Sequence, residues 1–499
     1  MEIMIDLQGG AKAPLYEKIY ESIKNEIVSG NLLRGEKLPS TRRLAQGLSV
    51  SRSTVDLAYE QLRAEGYIKA EPCRGFFVCD ITGLYSLHRE IQKEGELVSR
   101  GSRALREDGQ RLSLIDFSPY AVDTENFPYN IWRRLSKNVL LDDREELLLA
   151  GDGQGGRELR ETIAAYLHQA RGVNCLPDQI IVGAGNEYLE ILLSQILGRE
   201  QTVLMEDPGY PQAYRTFLNT GYEVITVPAL EDGLCMREVR RLAPSLVYVM
   251  PSHQFPVGSV MTLGKRLELL EWAAEREGRY LIEDDHDSEY RYRGKPIPSL
   301  QSIDRFGRVI YLGTFSKSIA PSLRISYLVL PPKLLERYHC VCGFYAATVP
   351  RIQQELVNSF IREGHFERHL NKMRGIYRAR HDFLLAELKK RRWLRRVIGE
   401  HAGLHLLVEV QTQEQEQELC RRAEEFGVRV SGIRQYYLGQ EEGIARMAKE
   451  EKCITGKGEF GAYPVLLLGY GRLCERELAQ GLEGLDAVFE GQHFPRIQK

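Results

Sequence analysis

The chain is short of several things that would have decided its class at once. Its nine cysteines are an odd number, scattered without Cys-x-x-Cys spacing or neighbouring metal-type histidines, so neither a disulfide framework nor a zinc site is supported. It has no excess of charge of either sign. With 67 basic and 69 acidic residues the net charge is -2, which rules out a strongly basic protein overall but can hide a small nucleic-acid-binding domain. No uncharged apolar run approaches the length of a membrane span, and Met1-Glu2-Ile3-Met4-Ile5-Asp6 is acidic where a secretory signal is basic. A cytoplasmic location with no membrane partner is expected, and no internal repeat or low-complexity tract is evident. What remains is 499 residues, 43% hydrophobic and 27% charged, too many for one ordinary core.

The first eighty residues carry an ordered series of local signals. Leu15, Ile19, Ile23 and Ile27 recur at intervals of four up to Gly30, which predicts an amphipathic helix with a buried stripe and a glycine stop. Ser40 caps a helix carrying Leu44 and Leu48; after a turn at 47–50, Ser51 caps another carrying Val55, Ala58, Tyr59 and Leu62. Tyr67–Ala70 and Phe76–Val78, joined by a turn at Pro72–Gly75, read as a small hairpin. Helix, turn, helix and wing predict a winged helix-turn-helix. Arg42, Arg52, Ser53 and Thr54 lie at or near helix starts, where they can reach phosphates and base edges, and Arg74 and Gly75 sit at the wing tip. The competing reading is a helical protein-interaction module with surface arginines.

Residues 81–112 are diluted by Arg89, Glu90, Lys93, Glu94, Glu96 and further charges, and read as a linker between a head at 10–80 and a body at 113–499. In the body, apolar runs such as Ile180-Ile181-Val182, Leu246–Val249, Tyr280–Ile282, Val309–Leu312 and Ile325–Val329 alternate with helical segments, which predicts an α/β fold around a buried, mostly parallel sheet. Ligands bind at the C-terminal ends of such strands, where the polar motifs fall. Gly183-Ala184-Gly185-Asn186 opens a helix whose free N–H groups suit a phosphate. Glu283-Asp284-Asp285-His286-Asp287 puts a carboxylate where it can meet a pyridine nitrogen; a metal site and a solvated acidic loop are the alternatives. Tyr210 can stack on a ring and His253 can line the site, though a turn tyrosine and a structural histidine are the plainer readings. In Thr314-Phe315-Ser316-Lys317, followed by Arg324, a lysine amine able to condense with an aldehyde stands beside hydroxyls and a guanidinium able to hold a phosphate, the requirements of pyridoxal 5'-phosphate.

Leu38-Pro39-Ser40-Thr41-Arg42-Arg43-Leu44-Ala45 and Val50-Ser51-Arg52-Ser53-Thr54-Val55 resemble the GntR family of bacterial repressors over residues 12 to 79. That resemblance implies that Arg42, Arg52, Thr54 and Gly75 contact double-stranded DNA; Asp56 stands where many members carry a further arginine. The body motifs, in order, are similar to fold type I aminotransferases, with a large and a small subdomain. Joined to the head, the chain resembles the MocR/GabR group of regulators. The group implies a pyridoxal phosphate aldimine on Lys317, Asp284 on the ring nitrogen, Tyr210 on the ring face, and Arg324 with Thr314 on the phosphate. It also implies a head-to-tail homodimer.

Three departures bear on function. His286 replaces a tyrosine for the cofactor's phenolic oxygen, Phe255 replaces an asparagine, and Leu467 falls where aminotransferases carry an arginine for a substrate carboxylate, leaving Arg434 and Arg472 as nearby substitutes. The expected function is a regulator that senses pyridoxal phosphate, or a small amine or amino acid, through Lys317. The alternative is a working aminotransferase with an appended DNA-binding head.

Overall fold

A computed structural model describes residues 14–72, 74–80, 114–141, 145–230, 232–292, 297–439 and 463–490. Two compact units result, one within Met1–Arg111 and one within Leu112–Lys499. The linker expected at 81–112 lies outside the described residues. Among those residues no helix is long and apolar enough to cross a membrane.

In the head, α1 (Leu15–Val28), α2 (Thr41–Leu48) and α3 (Arg52–Ala64) precede an antiparallel hairpin of β1 (Ile68–Glu71) and β2 (Gly75–Val78). The caps form as the sequence predicts: Ser40 accepts from the Arg43 amide at 3.3 Å and Ser51 from the Thr54 amide at 3.2 Å. Leu15 departs from the expected stripe and is 46% exposed; Ile19, Tyr20, Ile23 and Ile27 bury the helix instead, because Leu15 is the first helical residue and overhangs the core. The sharp turn after α2 is made by Ser49 at φ 53°, one of the few non-glycine residues held in the left-handed region, and not by Gly47.

The body is built on a seven-stranded sheet of β3 (Ile180–Gly183), β4 (Thr202–Asp207), β5 (Glu223–Pro228), β6 (Leu246–Val249), β7 (Tyr280–Asp285), β8 (Val309–Thr314) and β9 (Ser326–Val329). Their order is β3-β9-β8-β7-β6-β4-β5, and β9 alone runs antiparallel to its neighbours. Buried Ile, Val and Leu on both faces account for the continuous apolar runs. β5 was not expected: Glu223-Val224-Ile225-Thr226 is only half-buried at the sheet edge, so its apolar signal is diluted. A second, four-stranded antiparallel sheet of β10 (Leu394–Ile398), β11 (His405–Val410), β12 (Ser431–Gly432) and β13 (Val465–Gly469) forms the smaller subdomain, in the order β10-β11-β13-β12. The polar motifs of β3, β4, β6, β7 and β8 therefore emerge along one edge of the large sheet.

Candidate functional site

These strand ends enclose a cavity of about 180 Å³ lined by Lys317, Asp284, His286, Tyr210, Thr314, Ser316, Arg324 and Asn186, eight residues drawn from separate sequence motifs. Tyr120, Glu187, Met250, Phe255 and Pro321 complete the wall.

Asp284 lies at the end of β7, where its Oδ2 accepts a hydrogen bond from Tyr248 of β6 and its Oδ1 is buried without a hydrogen-bond partner. Burial raises its carboxyl above the ordinary value, while His286, the Tyr248 hydrogen bond and Lys317 pull in the other direction. A buried oxygen left unpaired is expensive, so Oδ1 fits a donor supplied from within the cavity. Tyr248 was missed in the sequence; the signal was a hydroxyl in an otherwise apolar buried strand, which needs a partner.

At the other end, Arg324 at φ 49° turns its guanidinium toward the start of the helix Asn186–Leu197. A Cβ on Gly185 would lie 2.1 Å from Arg324 Nη2, so only glycine admits the guanidinium there. Arg324 Nη2 bonds Glu187 Oε2 at 2.6 Å, and Thr314 Oγ1 accepts from the Ser316 amide at 3.1 Å and lies 2.9 Å from Ser326 Oγ. Guanidinium, hydroxyls and a helix N-terminus together match a phosphate dianion. Ala184 and Gly185 support this cup without lining it, and the Ala184 amide is taken by Thr348 Oγ1 at 3.1 Å, a partner the sequence did not suggest.

Lys317 stands between these ends. Its Nζ lies 3.9 Å from Asp287 Oδ2 and 5.9 Å from the Phe255 ring centroid, and its carbonyl accepts from the Tyr290 hydroxyl at 3.1 Å. Phe255 is buried and touches Tyr120, Tyr210, His286, His405 and Tyr436 through ring contacts of 5.2 to 6.1 Å, so the replacement for asparagine is an aromatic hub. Tyr210 meets it edge-on at 5.9 Å.

His253 is not part of the cavity wall. Its Nδ1 bonds Asp287 at 2.9 and 3.0 Å, and Gly403 leaves room for its ring. Burial alone would raise the Asp287 carboxyl, but His253, His286 and Lys317 outweigh it and hold the group well below the ordinary value. Donor atoms of His253, His286 and Asp287 lie within 4.8 Å of one another. Two imidazoles and an ammonium around one carboxylate leave a divalent cation facing a like charge 3.9 Å from that carboxylate, which argues against metal there. Arg434 and Arg472 are both exposed and neither lines the cavity, while Leu467 is buried in β13. The sequence placed them near this site by proximity to β13, but their side chains do not reach the cavity wall.

Glu206 in β4 gives a separate stability handle. Burial pushes its carboxyl up to about 7 from 4.5, against a pull from Lys265, and Oε1 has no hydrogen-bond partner. A folded-state value above the unfolded one contributes stability below 4.5 that is lost as pH rises through about 7. Glu206→Gln is therefore expected to be neutral near pH 4 and stabilising by ~3 kcal/mol near pH 8, read as a Tm difference that grows with pH. A pH-independent difference would show that Glu206 is not the group responsible.

In the head, Arg42, Arg52, Ser53, Arg74 and Gly75 are exposed and Thr54 is half-buried. The Ser53 and Thr54 hydroxyls lie 2.8 and 2.7 Å from Ser51 Oγ, within the cap of α3. Arg52 Nε lies 3.5 Å from Asp56 Oδ2 one turn on, and Arg74 pairs with Glu71 at 2.6 Å. Lys37, unremarked in the sequence, comes beside the wing, its ammonium 5.9 Å from the Phe77 ring centroid.

Residues 114–449 match the family Aminotransferase class I and II, and residues 15–78 match Bacterial regulatory proteins, gntR family. The chain is 39% identical to the uncharacterized HTH-type transcriptional regulator YdeL of Bacillus subtilis (strain 168), over 86% of this chain and 91% of that one. It is 34% identical to the probable rhizopine catabolism regulatory protein MocR of Rhizobium meliloti, over 87% and 90%. Among solved structures, the α-aminoadipate aminotransferase LysN from Thermus thermophilus, complexed with N-(5'-phosphopyridoxyl)-L-leucine, superposes with a TM-score of 0.63 at 25% identity, over 76% of this chain and 92% of that one. The chain belongs to the MocR-type transcriptional regulators, in which a GntR-family winged helix-turn-helix is fused to an aminotransferase class I and II body of PLP fold type I.

Proposed function

We propose that this regulator holds pyridoxal 5'-phosphate on Lys317 and changes its affinity for a double-stranded DNA operator when a small amine or amino acid competes with that lysine. The observation that carries the reading is the pairing, across one cavity, of an unpartnered Asp284 Oδ1 with the Arg324 guanidinium over Gly185, with Lys317 between them. When bound, the cofactor supplies an aldehyde that a lysine or a free amine can take reversibly. Asp284 would keep a ring nitrogen protonated, Tyr210 would offer a face for the ring, and Arg324, Thr314 and Ser316 would hold the phosphate. His286 is the group left to meet the phenolic oxygen, its Nε2 being buried without a hydrogen bond. Asp287 holds Lys317 in reach, so release of that amine alters a buried charge pair and can bias the body between two arrangements.

A homodimer fits the same reading. Leu148 is 81% and Phe344 79% exposed, and Arg351, which follows Phe344, donates to the carbonyl of Glu146 beside Leu148, so exposed apolar side chains suited to a second copy flank one contact. The group's head-to-tail arrangement would let two heads read two half-sites. The test is a spectral titration of the cofactor-loaded protein with a panel of amines and amino acids, run beside gel shifts on the gene's upstream region. A compound that changes both the spectrum and DNA affinity supports the sensor. Sustained keto-acid-dependent product formation with no change in DNA binding favours the aminotransferase reading and overturns this one.

A further inference from the structure

A second cavity opens in the body away from the Lys317 site, between the helices Arg157–Arg171 and His365–Leu388 and the segment that follows β7. At about 680 Å³ it is larger than the first and within the size range of small-molecule sites.

Its wall carries two acids, Glu289 and Glu367, and four guanidiniums, of which Arg171 and Arg362 are paired with Asp285 and Glu158. The half-buried Glu289 carboxylate accepts from the Tyr166 hydroxyl, at 3.2 Å to Oε1, and from its own backbone amide, and has no cation within ion-pair distance among the described residues. Burial, with Asp285 adding to it, pushes its carboxyl up to about 7. Arg374, whose Nε donates to the Glu289 carbonyl at 2.7 Å and whose Nη1 donates to Asn371, reaches the same wall. Arg291 lines it too, and its Nε is buried with no hydrogen-bond partner. Tyr166 and Phe366 supply apolar surface between the charged groups.

We infer that this cavity binds a free amino acid, with the ammonium on Glu289, the carboxylate on the guanidinium of Arg291 or Arg374, and the side chain against Tyr166 and Phe366. A carboxylate lacking a cation and a guanidinium lacking an acceptor, set in one cavity, are completed together by a zwitterion; an amine alone or a carboxylate alone completes one of them. The site stands apart from the cofactor reading, because none of its residues lines the Lys317 cavity. It is nonetheless joined to it through the backbone: Tyr290, next to Glu289, donates to the Lys317 carbonyl at 3.1 Å.

The experiment uses the full chain carrying Lys317→Ala and stripped of pyridoxal 5'-phosphate, so that neither the lysine nor a cofactor aldehyde at the first site can engage an amine. Calorimetric binding is measured for each common amino acid, with 1,5-diaminopentane and glutarate as probes that carry charge of one sign only. At least one amino acid is expected to bind, and to bind about tenfold or more tightly than either probe. Glu289→Gln in that background should weaken it by about tenfold, the size of a lost charge-assisted hydrogen bond. Ala165→Trp, which fills the exposed mouth without touching the polar groups, should abolish it. Binding of no amino acid, equal binding of diaminopentane or glutarate, or binding indifferent to Ala165→Trp in a variant with an unchanged unfolding curve each overturns the assignment.

Discussion

Lys317→Ala is expected to leave the protein folded and able to bind DNA, but to weaken its hold on pyridoxal 5'-phosphate by about a hundredfold, equivalent to ~2.7 kcal/mol, and to remove the competition between the lysine and free amines for the aldehyde. Two contributions separate here. Asp284, Arg324, Thr314 and Ser316 remain in place in the variant, since none depends on the lysine side chain for a hydrogen bond. They retain the noncovalent part of the affinity. The covalent part is lost with the amine, and so is the competition by which a free amine registers its presence. Lys317 Nζ is also one of the three groups that draw the Asp287 carboxyl down, but His253 still bonds both carboxylate oxygens, so the burial of Asp287 stays compensated. Dialysis followed by absorption spectra measures the first effect, and gel shifts across an amine titration measure the second. Unchanged retention would move the attachment point away from Lys317 and sink the sensor reading; an unfolded variant would instead assign the lysine a structural role.

How much of this site was legible follows from the range of each signal. Lys317, Asp284 and the Gly185 turn could be read because each sits at a strand end within a short motif, and the sheet brings strand ends to one edge without needing any contact to be foreseen. Arg324 could be read because it follows Lys317 closely. What could not be read depends on distant pairs. Thr348 reaches the Ala184 amide across 164 residues, and Tyr248 reaches Asp284 from the neighbouring strand. Asp287 reads as one more charge in an acidic run, yet it is the best-compensated carboxylate of the site because His253 arrives from the turn that follows β6.

The fold was legible where local rules suffice and less so where tertiary context overrides them. Ser40 and Ser51 marked helix starts because their hydroxyls bond their own helices' amides. The edge strand β5 escaped because half-burial blurs its pattern, and the antiparallel sense of β9 is set by its two neighbours and not by its own residues. Phe255 and His286 are a further case. As departures from a family pattern they suggested weakened catalysis, and in the structure they belong to one aromatic cluster beneath Lys317, 6.1 Å apart. An apolar hub in place of a polar amide removes a hydrogen bond that would tune the cofactor while preserving its pocket. That combination suits a site that must bind and report more than one that must turn over.

Arg52→Ala in the head should lower operator affinity by about 1–3 kcal/mol, about fivefold or more, and Asp56 decides what kind of contact is lost. Arg52 is the first residue of α3, and its side chain is 69% exposed. Its Nε side faces Asp56 Oδ2 at 3.5 Å, which leaves the two terminal nitrogens as the edge presented outward. That edge matches the paired acceptors of a guanine in the major groove, whereas a carboxylate one turn away is a poor neighbour for a phosphate. The loss in Arg52→Ala should therefore fall mainly on specific DNA, with nonspecific binding nearly unchanged and the salt slope reduced by less than about one. Asp56→Ala should leave affinity for nonspecific DNA intact or higher, having removed a negative charge from the recognition face, and should relax discrimination at the base pair Arg52 reads. Binding isotherms on the upstream region and on an unrelated duplex, each at several salt concentrations, separate these outcomes. An Arg52→Ala variant that weakens both duplexes equally, with the slope falling by a full unit, would make Arg52 a phosphate contact and leave the reading of sequence to Arg42 and the wing.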